Sequence, residues 1–84
     1  PAAAGSPVVD GPSPAEVREA RKVMARVEKQ LAKIEEREAK VHAQMAEQAE
    51  DHQRLRELHE TLRAAAQERE SLELEWLEAA DVVG

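Results

Sequence analysis

Across residues 15–83 the chain holds no proline and no glycine, and apolar side chains recur at alternating spacings of three and four. Val17, Ala20, Met24, Val27, Leu31, Ile34, Val41 and Met45 form a first run. Leu55, Leu58, Leu62, Ala65, Leu72, Trp76, Ala79 and Val83 form a second. A mean period of 3.5 residues marks helices that pack along a narrow apolar seam, the a and d positions of a heptad. The composition fits such a seam better than a globular core. Charged residues make up 36% of the chain, and Trp76 is the single aromatic, so the large side chains that fill a compact interior are missing. Ala, Glu, Arg, Lys and Leu dominate instead, as in long helices. Eighty-four residues are enough for one small domain.

Three of the four prolines and two of the three glycines lie in residues 1–13, PAAAGSPVVDGPS, which shows no periodicity and reads as a flexible linker. The helix signal then starts sharply. In SPAE, Ser13 is placed to cap, Pro14 occupies the first helical position, and Glu16 can close a capping box. If Val17 is an a position, the first run keeps its frame to Gln48, broken only by Glu38. Carried further, that frame makes Leu55 a d position, whereas the second run needs it at a. A break therefore falls in AEDHQR, where Asp51 can cap a second helix. The expected division is a linker over 1–13 and a coiled-coil domain over 14–84, with helices over 14–49 and 54–81 and a turn over 50–53.

One long helix with a stammer would also carry this pattern. A hairpin makes a stricter demand, since each a residue must then face a d residue of the other arm. Pairing positions that sum to 103 satisfies this in every layer. Val41 meets Leu62, Leu31 meets Leu72, and Val27 meets the wide Trp76. The charged intruders Glu38 and Arg69 fall in adjacent layers where they can pair, with Arg37 and Glu68 at matching g positions beside them. This complementarity favours an all-α fold, a two-helix antiparallel coiled-coil hairpin preceded by a disordered linker.

Catalytic chemistry finds little to stand on. There is no cysteine, which excludes disulfides and thiolate metal sites and fits a reducing cytoplasm. The only glycines are Gly5, Gly11 and Gly84, so no glycine-rich phosphate loop exists. His42, His52 and His59 gather towards the turn without the spacing of a metal-binding helix, and they read as polar residues at the seam edge. No catalytic, cofactor or metal residue and no small-molecule substrate is expected. No apolar run nears the roughly 20 residues of a membrane span, so no membrane partner is expected either.

The basic residues are distributed unevenly. Although the formal net charge is -6, eight of the twelve Lys and Arg lie within residues 18–40. Arg18, Lys22, Arg26, Lys29, Lys33 and Lys40 take b, c and f positions, turned away from the expected partner helix. A stripe of this kind can meet phosphates in a row, in a salt-dependent and sequence-independent way. The plainer reading is a solvated helix face with local ion pairs. No aromatic is interleaved to stack on bases. On the second arm, Leu74 and Leu77 take f and b positions outside the seam, close to Trp76, and form a candidate docking patch.

The order of a Pro-rich linker, EARKVMARVEKQLAKIEEREAKVHAQMAE, a turn containing DH, and RLRELHETLRAAAQERESLELEWLEAAD resembles the C-terminal domain of ABC-F ATPases, Uup-type and related bacterial members in particular. The likeness runs from Glu16 to about Asp81. It implies an antiparallel coiled-coil arm of a soluble ATPase that acts on the ribosome, with contacts to rRNA, tRNA or DNA. It also implies that ATP and Mg belong to cassettes upstream, since none of the family's Walker or signature motifs is in this sequence. A chain that begins with Pro rather than Met fits a piece of such a parent. The acidic balance departs from what a DNA-binding arm would carry. The alternative is a structural coiled coil for self-association or for docking onto the parent.

Overall fold

The computed structural model describes residues 11–84. Helix α1 spans Pro14–Glu47 and helix α2 spans His52–Val83, and the two pack against each other along their lengths. The fold is the expected all-α antiparallel hairpin, and among the described residues there is no strand. The expected linker falls largely on residues 1–10, which lie outside the described part of the chain.

The start of α1 is built as its sequence requires. Ser13 Oγ accepts a hydrogen bond from the Glu16 amide at 3.1 Å, and Glu16 Oε1 accepts one from the Ser13 amide at 2.7 Å. This closed capping box, with Pro14 next to it, satisfies amides that the first turn leaves unpaired. The turn comes two residues earlier than the sequence pattern indicated, at residues 48–51 rather than 50–53, and α2 starts at His52 rather than 54 and runs to Val83 rather than 81. The capping groups explain the difference. Gln48 ends α1 with φ −114° and ψ 35°, its amide donating to the Gln44 carbonyl. Asp51 is extended, and its carboxylate accepts from the Arg54 amide at 3.0 Å, so the helix must begin directly after it. The Asp51 amide closes the turn onto the Gln48 carbonyl at 3.0 Å. Because no residue of this turn needs a positive φ, the connection forms without glycine.

Every a and d position of both helices is buried or half-buried, but the two rows differ. The buried residues are Ala20, Val27, Ile34 and Val41 on α1 and Leu58, Ala65 and Ala79 on α2, all of them d positions. The a positions, Val17, Met24, Leu31 and Met45 with Leu55, Leu62, Trp76 and Val83, are only half-covered. In an antiparallel pair both d rows lie on the side flanked by g residues and both a rows on the side flanked by e residues. On the g side long residues bridge the arms: Arg37 meets Glu68 at 3.3 Å, and Arg26 reaches Glu75. On the e side α1 offers Arg21, Glu28, Glu35 and His42 and α2 offers Ala66 and Ala80 beside His59 and Glu73, with Trp76 donating across to Glu28, and the a row is half-covered. The d side is bridged along the middle of the rod and opens at its free end, where Ala20, Val23, Ala79 and Val82 line a groove of about 550 Å³, while the a side is half-open along its length.

Val27 is 0% and Ile34 1% exposed, the two largest side chains so fully enclosed. At about 1.5–3 kcal/mol each, such residues carry more of the fold than the exposed ion pairs, worth about 0–1 kcal/mol. Within the seam, Arg69 bonds Glu38 as expected, and no side-chain polar atom among the described residues is buried without a partner.

Candidate nucleic-acid interface

α1 presents its basic residues along one edge. At 100° and 1.5 Å per residue, Arg18, Lys22, Arg26, Lys29, Lys33 and Lys40 share about a quarter turn of the helix and extend over about 33 Å. Each of them is exposed. Lys22, Arg26, Lys29 and Lys33, with Ala25 and Gln30 between them, border a shallow groove of about 510 Å³ on the outer side of the helix.

One of the six does not stand as the sequence pattern placed it. Arg26 was expected on the face turned from the partner helix, yet its guanidinium spans the seam edge to Glu75 of α2 and also donates to Gln30 Oε1 at 3.0 Å. A c position borders the g side, and the long Arg side chain covers the remaining gap. Its charge is therefore matched within the hairpin. Lys22 lies 3.5 Å from Glu19, but both side chains are more than two-thirds exposed, so the pair is weak and easily exchanged. Arg18, Lys29, Lys33 and Lys40 form no ion pair among the described residues. Glu36 interrupts the line between Lys33 and Lys40 without closing onto either. Beside Arg26, the other five cations stand along this outer edge, with Glu19 next to Lys22 and Glu36 between Lys33 and Lys40.

The other arm has the opposite character. From residue 52 onward there are four Arg against eight acidic residues, which repel a polyanion. Five of those eight acids lie within residues 70–81, so the free end of α2 is its most acidic part. Trp76 offers no base-stacking surface there, because it stands in the seam opposite Val27, its indole N–H donating to Glu28 Oε2 at 2.9 Å. That hydrogen bond is invisible to a heptad frame, which places residues on a wheel but does not show how far their side chains reach.

The candidate docking patch stands open. Leu74 and Leu77 are 58% and 59% exposed, while Trp76 is half-buried. Leu77 and Trp76 join Leu31, Glu28 and Glu73 around a groove of about 410 Å³ on the half-open face. Leu74 lies further round the helix and does not line it. His42, His52 and His59 are exposed, and among the described residues no cluster of His, Asp or Glu could hold a metal ion. Among the same residues no helix is long and apolar enough to cross a membrane. Compared with models of protein families, with curated proteins and with solved structures, the chain matches none.

Proposed function

We propose that this hairpin is a nucleic-acid-contacting arm that lays the outer edge of α1 along a phosphate backbone. The observation that carries this reading is the row of exposed cations, Arg18, Lys22, Lys29, Lys33 and Lys40, on a chain whose other helix is strongly acidic. Contacts of this kind position a protein on a backbone and read no sequence. Duplex or folded RNA suits the row better than a single strand, because no aromatic stands among the cations to stack on splayed bases.

The resemblance of the linker and the two arms to an ABC-F C-terminal domain extends the proposal. The hairpin would be the terminal arm of a cytoplasmic ATPase acting in translation and would touch rRNA, tRNA or DNA near the ribosome. The ATP- and Mg-binding cassettes would lie upstream, and no catalytic residue would be on this segment. A second reading takes the charges as solubilising only, with the hairpin docked onto the parent ATPase domains through Leu74 and Leu77. The marked exposure of those two leucines favours it.

Fluorescence anisotropy with labelled RNA and DNA duplexes, titrated at several salt concentrations, tests the first reading. Binding that weakens steeply with salt is expected. Lack of binding to either duplex at about 50 mM salt would refute it.

A further inference from the structure

We infer that the half-open face is covered by a second copy of this chain, forming an antiparallel four-helix bundle. Most of the cation row lies further round α1 than this face, and Arg18 alone stands in the b column that borders it.

The hairpin's own core is slight for its length. Three of its seven buried residues are alanines, and the a row, with Met24, Leu31, Leu62 and Trp76, is left half in water. Small scaffolds of this kind are commonly completed by oligomerisation. The surface available is adequate. Arms about 50 Å long and a face about 20 Å wide give about 1000 Å² per copy, within the range of stable dimers.

Two isologous arrangements are possible when such faces stack. Rotation about the long axis lays α1 of each copy over α2 of the other. Rotation about the short axis lays each helix over its own counterpart. The charge balance of the facing helices favours the first. Residues 18–33 of α1 carry six basic and two acidic side chains, while residues 70–81 of α2, level with them in the hairpin, carry five acidic and no basic ones. The long-axis arrangement sets these opposite stretches side by side at one level, whereas the short-axis arrangement reverses one copy and sets residues 70–81 against the turn end of the other α2, where residues 54–63 carry three Arg and two Glu.

Side-chain size agrees with the same choice. Along α1, Ala25, Ala32, Ala39 and Ala46 repeat every seventh residue at the b position that borders the open face. Ala25 is level with Leu77, to within one residue, in the layering that pairs the arms. In the long-axis dimer the exposed Leu77 of each copy falls on Ala25 of the other, where only a methyl group stands. Each leucine thereby gains a seat that the isolated hairpin does not give it, and the groove around Trp76 closes.

The chain has no cysteine, so crosslinking reads the arrangement directly. Ala25→Cys and Leu77→Cys proteins, mixed under mild oxidation, should form the mixed disulfide, and each alone should form little. Sedimentation equilibrium should show the mass rising from 9.3 kDa towards twice that value as concentration increases over about 1–500 µM. Leu77→Lys should weaken this association at least tenfold with helicity unchanged, while Leu74→Lys, off the face, should leave it intact. A monomer throughout that range would overturn the inference. So would equal effects of the two leucine variants, or homodisulfides that form in the Leu77→Cys protein as readily as the mixed one.

Discussion

The Glu38–Arg69 pair offers a sharp test of how the two arms are aligned. It joins a positions 31 residues apart, in a seam otherwise apolar up to Gln48 at the turn, and its side chains are 17% and 36% exposed. Reversing Glu38 to Arg leaves two guanidinium groups side by side. Two unit charges about 4 Å apart interact by about 4 kcal/mol at an effective dielectric of about 20, and solvent reaching Arg69 reduces what is felt. A loss of about 2 kcal/mol is expected for Glu38→Arg, and a similar loss for Arg69→Glu. The double exchange restores an opposite-sign pair in the same place and should recover stability to within about 0.5 kcal/mol. Urea unfolding followed by circular dichroism at fixed low protein concentration reads this. With a slope of about 1 kcal/mol per molar urea, each single variant moves its midpoint by about 2 M and the double returns it. If the two losses simply add in the double variant, the residues do not meet and the alignment is wrong. Replacing both by Leu should instead raise stability by about 1–4 kcal/mol, since an apolar layer needs no desolvation of charge.

Other expectations follow from the same geometry. Leu31→Asp should unfold the hairpin, because it sets a carboxylate in the seam opposite Leu72, whereas Lys29→Glu on the outer edge should leave helicity nearly unchanged; equal loss in both would contradict the assigned faces. Ser13→Ala removes the acceptor of the Glu16 amide and should cost about 1 kcal/mol, measured by thermal or urea unfolding. Arg37→Ala breaks a half-exposed pair with Glu68 and should cost less than about 1 kcal/mol by the same assay.

Much of this fold is written in the spacing of its apolar residues. The change of phase between Met45 and Leu55 locates the turn, and the coincidence of Glu38 with Arg69 and of Arg37 with Glu68 sets the alignment; both pairs form. The capping box of Ser13 and Glu16 and the cap at Asp51 were equally legible, because each depends on local chemistry alone. The helix ends at the turn were less so, since a frame of apolar positions continues past the residue whose backbone ends the helix. The inequality of the a and d rows was not legible from seam residues. It arises from their neighbours, where Arg26, Arg37, Glu68 and Glu75 roof one side along the middle of the rod while the other, with Ala66 and Ala80 on α2, is half-open. The same reach of side chains pairs Arg26 with Glu75 and gives Trp76 a partner in Glu28.

The row itself is tested most directly by the salt dependence of binding. With about five phosphates neutralised, the logarithm of the association constant for duplex DNA should fall with the logarithm of salt at a slope of about −4.5. In a Lys29→Gln, Lys33→Gln variant two of those contacts are gone, and the slope should drop to about −2.7 while helicity is kept. An unchanged slope in that variant would show that phosphates do not meet the outer edge of α1, and would contradict the proposed function at its centre.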